Sequence, residues 1–185
     1  MCFYSAPNFL KPDLTMPREN LFTPDCIRTF TGIYFNVFNP TPEMICIEDI
    51  AHALSHQCRF GGHLPHFYSV AQHSLYCAQE IQDKDYALEA LMHDASEAYL
   101  MDVPRPIKGK LTNYKEIEDK IMRLIADKFS FQWPMPDEVK EIDEQALHTE
   151  WEMLMLQGKG TKEHLFLSRD IFLERFKILH ALRMC

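Results

Sequence analysis

His93 and Asp94 stand side by side in ALEALMHDASEAYLMDVPRPIK, residues 87–108, with Glu97 three positions further on. A neutral imidazole and a carboxylate are good ligands for a divalent metal. A second carboxylate one helical turn later can handle a proton. Two further candidates lie elsewhere in the chain: His73 in SVAQHSLYCAQEIQ (69–82) and Asp143 in KEIDEQAL (140–147). Together, two imidazoles and two carboxylates suit zinc, manganese, cobalt or iron, with positions left open for water and substrate. Taken alone, His73 on a partly apolar helix reads as a hydrogen-bonded core histidine. Asp143, beside Glu141 and Glu144, reads alone as a solvated helix acid. The doublet carries the metal reading. His52 and His56 are spaced i, i+4, but Ala51 and Leu54 point to ordinary packing. His63 and His66 sit in CRFGGHLPHFY (58–68), a loop that could fold over a site.

These residues need elements to position them, and the apolar spacing predicts helices. Ala87, Leu88, Ala90, Leu91 and Ala95 form a buried stripe, so His93, Asp94 and Glu97 are expected at i, i+1 and i+4 of one central helix that Pro104 and Pro106 stop. Further helices are expected over Ile47–Gln57, whose first turn is acidic, and over Ser69–Gln82, with Ser69 as N-cap. Others are expected over Thr112–Phe131, Asp137–Leu156 and Lys162–Leu182. Residues 1–28, rich in Pro, Asn and Asp, read as an irregular arm. Thr29–Val37 is β-branched and aromatic, and predicts a short hairpin that could pair with Met44–Ile47. The expected fold is therefore all-α: one domain over residues 1–185, a compact bundle of five to six or more helices with a short N-terminal hairpin. The last helix (161–185) has a broad apolar face for the core or for a second subunit.

At 185 residues with 46% hydrophobic content, the chain can bury a core without disulfide support. The formal net charge of −8 disfavours a nucleic-acid polymer as partner, because phosphate recognition needs a basic excess over the footprint. Any phosphate chemistry must rest on local cations. Six scattered cysteines without a CxxC pair fit reduced thiols, and no apolar run is long enough to span a bilayer. A cytoplasmic protein without a membrane partner is expected. Gly61-Gly62 is followed by no GKS or GKT, which excludes a P-loop.

The segments SVAQHS, LMHDASEAYLMDVPRPIK and KEIDEQAL resemble the HD-domain phosphohydrolases, over roughly residues 45–157. Within that family they are similar to the small bacterial 5′-deoxynucleotidases and more so to the phage dATP triphosphohydrolases. The resemblance implies that His73, His93, Asp94 and Asp143 hold a divalent metal (zinc, cobalt or manganese). It makes Glu97 the catalytic carboxylate and Asp102 a second acid near the attacking water. Arg59 would contact phosphate, Lys108 and Lys140 would hold the outer phosphates, and Phe60 and Pro106 would enclose the base. The implied partner is a deoxynucleotide, and the implied assembly a homo-oligomer. The implied reaction is conversion of dATP to deoxyadenosine and triphosphate. The alternatives are a deoxynucleoside monophosphatase and a catalytically silent HD module that binds a nucleotide or a partner. The phage relatives carry a larger aromatic where Phe60 stands and an aliphatic residue near Gly61-Gly62, a departure that bears on base selectivity.

Overall fold

In a computed structural model, residues 24–160 and 165–184 are described. The expected arm, residues 1–28, falls mostly outside them. The chain is mainly helical: α1 (Ile47–His56), α2 (Val70–Glu80), α3 (Ala87–Met92), α4 (Glu97–Leu100), α5 (Arg105–Lys108), α6 (Tyr114–Phe129), α7 (Asp137–Glu150) and α8 (Leu165–Arg183). A single antiparallel hairpin of β1 (Cys26–Arg28) and β2 (Tyr34–Asn36) precedes them among the described residues.

The hairpin pairs backwards along the chain rather than forwards to Met44–Ile47, which instead runs from a 3-10 turn into α1. Gly32 at φ +94° turns the chain, with Thr29 N–H donating to Ile33 O at 2.8 Å. Asp49, in the first turn of α1, then accepts from Thr31 N at 2.7 Å and Thr31 Oγ1 at 2.8 Å, fastening the hairpin turn to the helix. Phe35 at the centre of β2 is fully buried and stacks on Tyr99 of α4 at 3.8 Å.

At the middle of the bundle, α2 packs against α1, α3, α7 and α8. Its start is a capping box: Ser69 Oγ accepts from Gln72 N while Gln72 Oε1 accepts from Ser69 N. All six residues of α3 are buried, Glu89 included. That carboxylate is met by Arg183 at the end of α8, at 2.6 Å, and by Gln132 N at 3.0 Å. A buried acid is tolerable only when so paired. α8 adds Phe172 and Phe176 to the core, each worth about 1.5–3 kcal/mol relative to exposure.

Two departures from the helical expectation shape the surroundings of the His-Asp doublet and of Asp143. The central helix ends at Met92, and residues 93–96 form a tight turn before α4, with Ala95 N–H bonding Met92 O and Glu97 N–H bonding Asp94 O. The expected helix to Leu156 is α7 followed by a π-helical turn, Trp151–Leu156. Widened turns of this kind re-aim the residues around them.

Candidate functional site

His73 sits at mid-α2 with no exposed surface, and its Nδ1 lies 2.6 Å from Glu150 Oε1. A carboxylate accepts, so Nδ1 carries the hydrogen and Nε2 presents a lone pair. His93, on the turn after α3, donates from Nδ1 to Ala90 O at 2.8 Å, so its Nε2 is likewise a lone pair. These two nitrogens face each other at 3.2 Å. Asp143 Oδ1 on α7 lies 3.1 Å from His73 Nε2 and 3.7 Å from His93 Nε2. Asp94 Oδ2 lies 3.2 Å from His93 Nε2 and 3.7 Å from His73 Nε2.

Four acceptor atoms are thus crowded together with both ring hydrogens already committed elsewhere. Such a set calls for positive charge between its members. Metal–ligand lengths of about 2.0–2.2 Å put neighbouring ligands roughly 3–3.5 Å apart, and the distances here, 3.1–3.7 Å, are close to that spacing. Cys77, one turn after His73, adds its sulfur at 3.7 Å from His73 Nε2, and His73, Cys77 and His93 form a group able to hold a metal ion. Protons can meet the demand for positive charge in place of an ion. Burial opposes charging of His73 and His93, yet the surrounding carboxylates hold both rings well above the ordinary histidine range, which favours a proton at the Nε2 positions that a metal would otherwise take. Asp94 and Asp143 are held well below the carboxylate range by the two rings, against their own burial.

Beside this cluster opens a cavity of about 670 Å³, within the usual size of a small-molecule site. Glu97 and Asp102 both line it. Gln57 at the end of α1 positions them, donating to Glu97 O at 2.8 Å and accepting from Asp102 N at 3.1 Å. Glu97 is 5% exposed and its Oε2 has no partner. Burial, then the charges of Asp94 and Asp102, push its carboxyl well above the usual range. Burial also raises Asp102.

Arg59 lines the same cavity, with Nη2 donating to Glu150 Oε2 at 2.9 Å and Nη1 3.7 Å from Asp94. Its Nε is buried and unpartnered. Phe60 beside it holds φ +55°, a conformation rare for an aromatic residue, which turns the ring toward Trp151 at 6.1 Å. Pro106 stands on the opposite segment of the lining. Lys108 is in place on the wall, 2.6 Å from Glu118 and 3.9 Å from Glu97.

Lys140 is not brought to the cavity. Its ammonium pairs with Asp137 at 2.7 Å, and the wall that α7 gives the cavity runs from Asp143 toward the C-terminus through Glu144, Leu147 and His148, so Lys140 lies one turn short of it. Arg105 lines the cavity instead, paired across it with Glu144 at 3.0 Å. His66 packs against Gly160, away from the cluster.

Five contributors escape a reading of the sequence: Gln57, Cys77, Arg105, Glu150 and Trp151. Spacing alone could have found two of them, Cys77 one turn beyond His73 and Glu150 two turns beyond Asp143. The four described cysteines, Cys26, Cys46, Cys58 and Cys77, are free thiols. Among the described residues no helix is long and apolar enough to cross a membrane.

No family model matches the chain. The uncharacterized protein YfdR of Escherichia coli (strain K12) is 40% identical over 175 residues, covering 86% of this chain and 98% of YfdR. An uncharacterized protein of Rhodobacter capsulatus is 32% identical over 122 residues, covering 61% of this chain and 62% of that protein.

Proposed function

The chain belongs to the family of YfdR, and we propose that this member is a metal-dependent deoxynucleotide phosphohydrolase, cleaving dATP to deoxyadenosine and triphosphate. One observation carries the reading: four atoms of His73, His93, Asp94 and Asp143, five of whose pairs lie 3.1–3.7 Å apart, stand at the edge of a cavity whose lining includes Arg59, Arg105 and Lys108. A divalent ion held there, with Cys77 adjacent, would supply Lewis-acid activation of water and of a phosphoryl oxygen.

The remaining work falls to side chains of this chain. Arg59 offers its unpartnered Nε and its Nη1 to the phosphoryl group that water attacks. As the bond between phosphorus and the sugar 5′ oxygen breaks, Glu97, whose carboxyl is raised by burial and by Asp94 and Asp102, gives its proton to that oxygen. Asp102 accepts the proton that the attacking water loses. Lys108 and Arg105 reach the outer phosphates, the role that the resemblance had assigned to Lys108 and Lys140. Phe60, Trp151 and Pro106 give the base apolar surfaces to pack on. Local cations in a chain of net charge −8 suit a small phosphorylated substrate rather than a polymer.

The outward position of Lys140 favours a second reading, a 5′-deoxynucleotidase that removes phosphate from monophosphates, since that reaction needs fewer outer cations. Chromatographic analysis of products from each dNTP and dNMP, with metal-loaded protein and a His93→Ala control, separates the two. Deoxyadenosine and intact triphosphate from dATP, absent in the control, is the expected result. Orthophosphate from monophosphates only transfers the assignment to the second reading, and no product from any substrate overturns both.

A further inference from the structure

Beside the cluster lies a buried carboxylate that none of this chemistry has used. Glu150 closes α7, two turns beyond Asp143, and is 4% exposed. Its two oxygens serve two different partners. Oε1 accepts from His73 Nδ1 at 2.6 Å, and Oε2 accepts from Arg59 Nη2 at 2.9 Å. Burial and the Glu150 charge push the Tyr68 phenol up, and Tyr68 O accepts from Arg59 N at 2.9 Å.

We infer that Glu150 is a positioning residue that sets, with one carboxylate, both the ligand nitrogen of His73 and the phosphate-facing edge of Arg59. The inference rests on the reading of His73 as a metal ligand and of Arg59 as a phosphate contact.

A histidine ligates through the nitrogen that lacks a hydrogen, and the partner of its other nitrogen decides which one that is. Glu150 takes the Nδ1 hydrogen, so the Nε2 lone pair points to His93, Asp94 and Asp143. A guanidinium has five N–H donors in a fixed fork, so anchoring Nη2 fixes the direction of the rest. With Nη2 on Glu150, Arg59 leaves Nε without a partner and Nη1 beside the cluster. A neutral amide cannot serve both neighbours: its oxygen can accept from one, while its NH2 group then faces the other donor. Glu150 and Asp143 also ride on the same helix, so the ligand and the anchor keep their separation when α7 shifts.

The test compares wild type with Glu150→Gln in the full chain, stripped of metal and titrated with Co(II) against a chromophoric chelator. The substitution is expected to weaken Co(II) binding about 10- to 100-fold, the usual cost of losing the support of a metal-bound histidine. At saturating Co(II), KM for the deoxynucleotide turned over is expected to rise at least about 5-fold, from a misaimed Arg59. A purely structural role would lower the melting temperature and leave both readouts unchanged, and that outcome overturns the inference. Should Glu150→Gln not fold, wild type labelled with 15N-histidine decides: a slowly exchanging Nδ1–H signal from His73 supports the inference, and protonation of His73 at Nε2 instead overturns it. Failure of the underlying reading looks different, because the wild type itself then binds no Co(II).

Discussion

Replacing Arg105 by Ala discriminates between a triphosphate and a monophosphate substrate, and the structure sets the size of the effect. In the free protein the guanidinium is paired with Glu144 at 3.0 and 3.4 Å, and the two side chains are 68% and 49% exposed. An ion pair this open to water contributes about 0.2–1 kcal/mol. Charge-assisted hydrogen bonds to a phosphate contribute about 1.5–3 kcal/mol. On the triphosphate reading an outer phosphate would displace Glu144, with a net gain of about 1–2 kcal/mol, or roughly 5- to 30-fold in affinity. Arg105→Ala is expected to raise KM for dATP by that factor, and to leave dAMP within about 2-fold, since a single phosphate at Arg59 does not reach so far. Glu144→Gln removes the competitor and is expected to lower KM for dATP by up to about 5-fold. Lys140→Ala is expected to stay within about 2-fold of wild type on either substrate, because Lys140 is exposed and paired with Asp137 outside the cavity. The assay is steady-state release of deoxyadenosine from each nucleotide. A larger loss from Lys140→Ala than from Arg105→Ala, or an Arg105 effect equal on both nucleotides, refutes the reasoning.

Two further outcomes test the centre of the site. Glu97 has its carboxyl raised from 4.5 by burial and by Asp94 and Asp102, so the protonated form favours the fold. That contribution is complete below about pH 4.5 and disappears as pH rises through the higher folded value. Glu97→Gln in chelator-treated protein should therefore melt near the wild-type temperature at about pH 5 and above it at about pH 8, and the metal-loaded variant should lose hydrolysis; no pH dependence in the melting difference contradicts it. Cys77 lies at the spacing of a ligand neighbouring His73. Co(II)-loaded protein is expected to show a sulfur-to-cobalt charge-transfer band that Cys77→Ser abolishes, and spectra that coincide would confine the ligands to imidazole and carboxylate.

The parts of this site that could be read in advance were those with an unusual residue type at an informative spacing. A histidine next to an aspartate inside an apolar stripe has few ordinary explanations, and the fold does turn both toward His73 and Asp143. Helix positions were legible for the same reason, since the stripes of α1, α2, α6 and α7 have a clear period. The break after Met92 left no such mark, because HDAS contains nothing that forbids a helix; the tight turn is imposed by packing around α3. Glu150 was invisible because acids abound on α7, and only the tertiary contact with Arg59 and His73 sets it apart. Lys140 misled because it shares a face with Asp143 but sits one turn nearer the start of α7, where the cavity wall has not yet begun and Asp137 is the partner in reach. The hairpin obeyed local turn chemistry at Gly32, which outweighed the distant match with Met44–Ile47.

His73, His93, Asp94 and Asp143 come from α2, the turn after α3, and α7, so the chain between the first and last of them is 70 residues long. In the unfolded chain those donors are scattered, and nothing can bind all of them at once. Occupancy of the cluster and integrity of the bundle are therefore one equilibrium, governed by mass action. Free ion at a hundred times its dissociation constant adds about 2.7 kcal/mol to folding. For a chain of this length, that corresponds to about 5–10 °C in melting temperature. On the proposed metal reading, the concentration of free ion would set how much folded protein exists as well as how fast it works.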